Sequence, residues 1–433
     1  MRSRLCPSSE KNGEHRRGAF DIGRLRREQY GAHSEEAFVI AVTGIGIISP
    51  AGVGKEALLR AFSESRSGIT EPAGSGFPCN GIHSAGMVRN FTAKDYIPAM
   101  KARRMSRFSQ LCLASAIEAA KDSGIEVSDE NRYRIAIAAG TGLASTDSTD
   151  LFYGGLLREG PEGTNPMVFP ETVQNIAASH IAMHFVTRGQ NITFSHADIS
   201  SELALFYGAG LLRDRQADAV IVSGADELSI SAVTGYTAFG VLSNSMMPFD
   251  RRRNGFVLGE GAASVILERR EDAAKRNAHI YCTLGAVEIA SYPSPNISYD
   301  TTRCSMRKAV ETALASAGIA SPGFISACAN GTPDLDRLEA GTLQETMGTA
   351  VPVTAYRSYN GYFPGDGLLR IASAALCLER GMLPAIAGLE QSLEGCALDL
   401  VTGSARKLNA ASAMITSFSA GGSAAGIVLK KER

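Results

Sequence analysis

A polar segment, His196-Ala197-Asp198-Ile199-Ser200-Ser201, places a carboxylic acid at the head of a predicted helix. Asp is a favoured N-cap residue because its side-chain oxygens accept hydrogen bonds from the first free N–H groups of a helix. An N-cap is therefore our first interpretation of Asp198. The alternative is an acid–base role, for which His196 is the nearest partner along the chain.

A second polar group comes from the C-terminal part of the chain. Asn330 follows a predicted strand, and Arg357 and Tyr362 lie in the segment Arg-Ser-Tyr-Asn-Gly-Tyr. The last histidine of the chain is His279, so this part offers no imidazole for acid–base work. Cys328 lies at the end of the same strand as Asn330, where we interpret it as a buried thiol rather than a nucleophile.

Two histidines have the spacing of possible metal ligands. His180 and His184 stand four residues apart on a predicted helix, but no acid follows at the spacing of a helical zinc site. The eight cysteines are scattered without close pairs, which is typical of a cytoplasmic protein. The glycine-rich strings do not follow a nucleotide-binding pattern. We expect no metal and no bound cofactor.

Short β-rich runs alternate with Ala-rich helical stretches from residue 38 onward, which predicts a layered α/β fold. The predicted strands are residues 38–50, 134–142, 218–227 and 263–268 in a first series, and 280–291, 324–332, 383–390 and 413–430 in a second. Residues 107–124 and 301–318 have helical spacing. Two similar series predict an internal duplication whose halves meet near residue 290.

The composition excludes several classes of protein. With 433 residues, 44% hydrophobic and 20% charged, the chain has the balance of a globular protein. Its net charge of −1 argues against a nucleic-acid-binding face, and no apolar run is long enough to span a membrane. Residues 1–37 have mixed charge and little apolar periodicity, which predicts a disordered or tag-like tail.

Longer strings resemble one family, the β-ketoacyl-acyl-carrier-protein synthases. The matching stretches are residues 166–198, the segment Pro-Phe-Asp…Gly-Phe…Gly-Glu-Gly within 247–268, and the blocks 329–340 and 417–429. The resemblance implies the thiolase fold, a duplicated five-layered αβαβα sandwich that is usually dimeric. It divides the chain into the tail, an N-terminal ketosynthase half (38–290) and a C-terminal half (291–433).

The resemblance also implies where the family's catalytic groups would lie. The nucleophilic Cys position is Asp198, the two His positions are Asn330 and Tyr362, and the Lys position is Arg357. A carboxylate is a poor acyl acceptor, and loss of one member of such a set costs several powers of ten in rate. We expect Tyr362 to fill the vacated site, and Arg357 to pair with Asp198 or Glu339.

The remaining family positions concern the acyl chain and the phosphopantetheine arm of a carrier protein. Thr332 matches a pantetheine-contacting position, and Ala420, Gly421 and Gly422 match the glycine-rich turn, with Ala420 in place of an aromatic gate. The resemblance therefore implies a catalytically silent subunit of the chain-length-factor type. It would pair with an active synthase, or with itself, and with acyl carrier protein in polyketide or fatty-acid-like elongation.

Two alternatives stay open. One is an enzyme with altered acyl-thioester chemistry in the same pocket, such as a hydrolase, decarboxylase or acyltransferase. The other is a homodimeric protein that binds an acyl chain or carrier protein without reaction.

Overall fold

The computed structural model describes residues 38–72, 83–292 and 302–432. The predicted tail, residues 1–37, lies outside the described residues. Within the described part, no helix is long and apolar enough to cross a membrane. The expected alternation of strands and helices is present throughout these ranges.

Fourteen strands are found in the described ranges. They are β1 Ile40–Ser49, β2 Gly52–Val53, β3 Ile135–Gly140, β4 Asn191–Phe194, β5 Ala219–Asp226, β6 Gly261–Arg269, β7 Cys282–Ser291, β8 Phe324–Ser326, β9 Pro352–Thr354, β10 Met382–Leu383, β11 Asp399–Leu400, β12 Arg406–Lys407, β13 Ser412–Phe418 and β14 Ser423–Lys430. Twelve of them form one sheet in the order β11-β9-β8-β13-β14-β7-β1-β6-β5-β3-β4, with β2 paired to β1.

Twelve α-helices connect these strands. They are α1 Lys55–Ser63, α2 Ala99–Ala102, α3 Arg107–Ser123, α4 Thr146–Glu159, α5 Ile176–Phe185, α6 Ser200–Arg213, α7 Ile230–Ala238, α8 Arg270–Lys275, α9 Thr302–Ala317, α10 Pro333–Met347, α11 Arg357–Asn360 and α12 Gly367–Arg380. Helix α3 covers one outer face and α9 the other, while α6 and α12 pack between the two halves of the sheet. Every residue of α12 from Gly367 to Leu378 is buried, as a central layer requires.

The strand order shows the internal duplication directly. The series β4-β3-β5-β6-β1 of the first half recurs as β9-β8-β13-β14-β7 in the second. Corresponding pairs also share their direction: β3 pairs with β5 and β8 with β13 in parallel, while β5–β6 and β13–β14 are antiparallel. The expected duplicated α/β sandwich is confirmed. The predicted division between residues 290 and 291 cuts β7 before its last residue, Ser291, whereas the strand order counts β7 with the second half.

Three predicted strands differ from the structure. Residues 383–390 do not form a strand, because only Met382–Leu383 pairs, with β12, and the chain then turns away at Gly388 with a φ of 80°. The strand predicted over residues 324–332 ends at Ser326, so Asn330 lies in a loop. The run 413–430 is a hairpin of two strands rather than one element.

Candidate active site

Asp198 lies in a short 3₁₀ helix, Ala197–Ile199, that leads into α6. The N-cap interpretation is wrong: the N-cap of α6 is Ile199, and no side chain caps that end of the helix. Ala197 has a φ of 45°, a left-handed conformation that is unusual for a residue with a Cβ atom. This turn directs the Asp198 side chain into the interior, where the residue is only 8% exposed.

Asp198 accepts side-chain hydrogen bonds from Tyr362 and Ser419. The Tyr362 hydroxyl donates a hydrogen bond of 2.7 Å to Asp198 Oδ1. Burial raises the pKa of the Asp198 carboxyl above its ordinary value, against the opposing effects of the Arg357 charge and the hydrogen bond from Tyr362. The two positions that the resemblance assigns to the thiol and the second imidazole therefore hold a carboxyl and a phenol that are hydrogen-bonded to each other, which we call the carboxyl–phenol pair.

The ring of Tyr362 is fixed from several sides. Its centroid lies 4.4 Å from that of Phe256 and 6.0 Å from that of Tyr236. Its backbone N–H donates to Val257 O over 2.8 Å. Only 6% of the residue is exposed, so Tyr362 fills this part of the interior, as the sequence predicted.

Arg357 is fully buried but does not pair with either of the acids expected for it. Its Nε donates to Asp366 Oδ2 over 2.5 Å and its Nη2 to Asp366 Oδ1 over 3.0 Å, a bidentate pair. Its Nη1 donates to the carbonyl of Cys328. The guanidinium carbon also lies 4.9 Å from the centroid of the Tyr362 ring. The predicted pairing with Asp198 or Glu339 is therefore wrong, since the geometry of a guanidinium is satisfied by the nearer Asp366.

A buried ion-pair network extends from this pair and was not predicted. Arg370 Nε donates to Asp366 Oδ1 over 3.0 Å, and its Nη2 donates to Glu202 Oε1 over 3.0 Å. Glu202, Asp366 and Arg370 are each at most 2% exposed. The sequence signal that could have revealed it is a charged residue within an otherwise apolar helical stretch, such as Glu202 in α6 or Arg370 in α12.

A further buried acid ties the two halves together near Asp198. Asp226, at the end of β5, accepts hydrogen bonds from Thr141 Oγ1 (2.5 Å), Leu143 N (2.7 Å) and Gly365 N (2.6 Å). Gly365 belongs to the 3₁₀ turn that also carries Asp366, and this turn packs against the turn of Asp198. The carboxylate of Asp226 therefore fixes the position of the loop beneath the carboxyl–phenol pair.

Asn330 forms a local turn rather than reaching toward Asp198. Its Oδ1 accepts from Thr332 N (3.0 Å) and from Thr332 Oγ1 (2.7 Å). Its backbone N–H donates to Asp336, whose pKa burial raises to about 7. The Thr332 hydroxyl that the resemblance assigned to a pantetheine contact is thus engaged by Asn330 at the start of α10.

Cys328 is buried and lies beside two charged groups. Its N–H donates to Glu339 Oε1 over 3.0 Å, and its carbonyl accepts from Arg357. Burial raises the pKa of its thiol well above the ordinary value. A neutral, inaccessible thiol is a poor nucleophile, in agreement with our interpretation.

The glycine-rich turn closes the hairpin between β13 and β14. Gly422 N donates to Ser419 O over 3.0 Å, and Gly422 has a φ of 88° that favours glycine. Ala420 is half-buried and Gly421 exposed, and the hairpin packs against the 3₁₀ helix of Asp198. The turn therefore lies at the site, as expected, with a small residue at position 420.

The histidines do not join Asp198. His196 is exposed, and its Nε2 lies 3.0 Å from Ser423 Oγ, so the partnership with Asp198 that we considered is wrong. His180 lies 2.7 Å from Glu171 through Nε2, and the ring of His184 packs against Phe185. Neither histidine contacts the carboxyl–phenol pair.

This arrangement offers a buried carboxyl and a phenol, but no thiolate and no imidazole among the described residues that surround Asp198. A carboxyl with a raised pKa can hold a proton, and a phenol can donate one. The family's reaction transfers the acyl chain to a thiolate, and position 198 carries a carboxyl instead.

Comparison with known proteins gives two family matches in sequence. Residues 37–273 match "Beta-ketoacyl synthase, N-terminal domain", and residues 281–390 match "Beta-ketoacyl synthase, C-terminal domain". The 3-oxoacyl-[acyl-carrier-protein] synthase 2 of Vibrio harveyi is 30% identical over 409 residues, which cover 90% of this chain and 98% of that protein.

Solved structures with the same fold include two of interest here. The ishigamide ketosynthase/chain length factor has a TM-score of 0.84 at 23% identity and covers 92% of this chain and 100% of its own. A type II polyketide ketosynthase in complex with its acyl-carrier protein has a TM-score of 0.81 at 21% identity, covering 91% of this chain and 100% of that one. At these identities the likeness supports the fold alone.

Proposed function

Since this chain belongs to the β-ketoacyl synthase family, we propose that it acts as a catalytically silent, ketosynthase-like subunit of the chain-length-factor type. Its partner is an active β-ketoacyl synthase that elongates an acyl chain held on acyl carrier protein, in type II polyketide or fatty-acid-like synthesis. The site of action is cytoplasmic. The strand order counts β7 with the second half, so we propose a division of residues 38–433 just before Cys282 rather than between residues 290 and 291.

The observation that carries this proposal is the hydrogen bond between Tyr362 and Asp198. In the family's reaction, a thiolate must accept the acyl chain and imidazoles must assist decarboxylation of the extender unit. Here a carboxyl and a phenol bond to each other at two of those positions, and Arg357 at a third is engaged by Asp366. The side chains of the site satisfy one another, which favours a structural role over turnover.

The protein has an exposed apolar surface that favours binding of a partner chain. Helix α4 buries only Gly155. The surface is formed by large apolar side chains on this helix and the segment after it, which we call the α4 face. Its members are Leu151, Tyr153, Leu157, Met167, Phe169 and Val173. Leu157 is 84% exposed and Leu151 59%, and contiguous exposure of this kind marks protein–protein contact sites.

The charges around the α4 face favour an unlike partner over a second copy. Along residues 146–173, the exposed acidic residues are Asp147, Asp150, Glu159 and Glu162, and the one exposed basic residue is Arg158. A twofold-symmetric dimer would place this face against itself and bring like charges together. An active synthase whose facing rim is basic would neutralise them.

Carrier protein and its phosphopantetheine arm are the other partners in this proposal. They would approach the turn of Ala420, Gly421 and Gly422, next to Asp198, with Thr332 nearby in the family pattern. A small residue at position 420 leaves room for an acyl chain extending from the active subunit. The ketosynthase–carrier complex of the same fold is consistent with this partner class.

Co-expression with an active synthase and a carrier protein tests the proposal. We expect a one-to-one complex by native mass spectrometry, and chain elongation only when the active subunit is present. An Asp198→Ala variant should elongate as well as the wild type in the complex. Elongation by the isolated chain, or no complex with any synthase tested, would contradict the proposal.

A second candidate is an enzyme of altered acyl-thioester chemistry, favoured by the raised pKa of Asp198 beside a phenol. It predicts hydrolysis or decarboxylation of an acyl or malonyl thioester by the isolated chain, abolished in Asp198→Asn. A homodimeric binding protein is the third candidate, and it predicts stable carrier binding by a self-paired chain without any synthase.

A further inference from the structure

We infer that Glu171 is the residue that positions the α4 face for its partner chain. The identity of the partner rests on the proposed function, whereas the positioning itself does not. Glu171 is a buried acid, 5% exposed, in the short 3₁₀ helix Phe169–Thr172. It stands within the stretch that exposes Met167, Phe169 and Val173, so its hydrogen bonds decide where these apolar side chains lie.

The carboxylate of Glu171 joins this stretch to two helices. Oε2 accepts from Ser106 N (3.0 Å), Ser106 Oγ (2.8 Å) and Ser109 Oγ (2.7 Å), all at the start of α3. Oε1 lies 2.7 Å from His180 Nε2 on α5. The Ser145 hydroxyl donates to the backbone carbonyl of Glu171. Five contacts to one residue fix a segment that has few buried apolar contacts of its own.

The ring of Phe169 connects the segment held by Glu171 to helix α4. Its centroid lies 5.3 Å from that of Phe152, whose neighbours Leu151 and Tyr153 belong to the α4 face. The backbone of the 161–163 turn also packs against α4 near Gly155. Displacement of Glu171 would therefore move both parts of the α4 face.

The ring of His180 makes its hydrogen bond with Glu171. The residue is 9% exposed, and its Nδ1 has no hydrogen-bond partner among the described residues. The ring's one hydrogen bond is with Glu171, which suits the tautomer with the proton on Nε2. Burial of a half-satisfied imidazole is unfavourable, and the hydrogen bond with Glu171 offsets part of that cost.

Glu171→Gln and Glu171→Ala variants of the full chain test the inference, with Glu268→Gln and Glu268→Ala as matched controls. Glu268 is also buried and bonded, through Thr43 Oγ1 (2.5 Å) and Arg276 Nε (3.0 Å), but lies on β6. We expect the Glu171 variants to weaken the complex with a co-expressed active synthase at least about tenfold more than the controls do. Partner affinities are compared between Glu171 and Glu268 variants whose melting temperatures fall by the same amount.

Hydrogen exchange on the isolated chain gives a readout that does not depend on the partner. Residues 146–175 should exchange faster in Glu171→Gln and not in Glu268→Gln. Unchanged exchange there would overturn the inference, as would equal partner affinities for the two sets of variants. If accelerated exchange is found but no synthase binds the wild type, the proposed function fails and the positioning role stands.

Discussion

The Tyr362 hydroxyl and the Asp198 carboxyl, 164 residues apart in sequence, meet at 2.7 Å in the interior of the protein. One group comes from the turn before α6 in the first half, and the other from the segment after α11 in the second. The bond therefore joins the two duplicated halves where the family places its chemistry. Its strength and its pH dependence can both be measured.

Replacement of Tyr362 by Phe should destabilise the protein by about 1–3 kcal/mol, because the buried Asp198 carboxyl loses one of its two side-chain donors, Tyr362 and Ser419, while the ring still packs. The folded-state pKa of Asp198, already raised, should rise further. A raised acid pKa means stability that is lost as pH increases from the unfolded value toward the folded one. The deficit should therefore be larger at pH 8 than at pH 5 in urea titrations.

Tyr359→Phe is the control for that experiment. Tyr359 is equally buried, but its hydroxyl donates over 2.7 Å to the neutral carbonyl of Ala385. Its loss should cost about 1 kcal/mol with no change between pH 5 and pH 8. If the unfolding free energies of the two variants changed with pH in the same way, the pKa of Asp198 would not depend on Tyr362.

Replacement of Arg357 by Met should cost about 3–5 kcal/mol, because it removes a bidentate partner and leaves Asp366 buried with excess negative charge. Arg357→Lys should recover only part of this loss, since an ammonium cannot repeat the two parallel bonds. The exposed pair Arg307–Glu311 is the control, and Arg307→Met should change stability by less than about 1 kcal/mol. Equal losses for the two positions would refute the buried network.

Glu227 should make the stability fall with increasing pH. Burial raises its pKa from 4.5 to about 8, although Phe108 N (2.8 Å) and Asp147 N (2.9 Å) donate to it. The unfolded chain releases this proton near pH 4.5, so the stabilisation is complete below that pH and is lost progressively up to about pH 8. Glu227→Gln should flatten the profile of unfolding free energy between pH 5.5 and pH 9.

The control for this profile is Asp218→Asn. The Arg134 hydrogen bond, opposed by partial burial, lowers the pKa of Asp218 to about 2, so its stabilising effect is lost only as pH falls below 3.8. Between pH 5.5 and pH 9 this variant should shift the profile by a constant amount. A slope in Glu227→Gln as steep as in the wild type would mean that Glu227 is already ionised at pH 5.5.

The fold could be predicted because strand and helix periodicity and long family strings extend over most of the chain. The assignment of Asp198, Asn330, Arg357 and Tyr362 to the family's catalytic positions rests on local sequence blocks and stays a prediction. Their partners could not be predicted. Tyr362 and Asp198 are 164 residues apart and meet only through tertiary packing, and Asp366 lies nine residues after Arg357 on a turn whose geometry the sequence does not reveal. The strand over residues 383–390 was wrong because an apolar run alone does not reveal where a chain turns.

The network of Glu202, Asp366 and Arg370 illustrates the same limit. Asp366 precedes α12 and pairs with Arg370 four residues later, but the other partners of Arg370, Glu202 on α6 and Ser417 on β13, come from distant parts of the sequence. Glu171 was likewise passed over, because its neighbours Pro170 and Thr172 resemble an ordinary loop. Burial, which is known only from the fold, is what marks these charges as important.

The central claim is that this polypeptide does not accept an acyl chain. Intact-mass spectrometry of the pure chain after incubation with acyl-loaded carrier protein tests it most directly, with an active synthase treated in parallel. We predict the acyl mass increment on the active synthase alone and an unchanged mass for this chain. An acyl increment on this chain, lost in Asp198→Ala or in Cys328→Ala, would contradict the account.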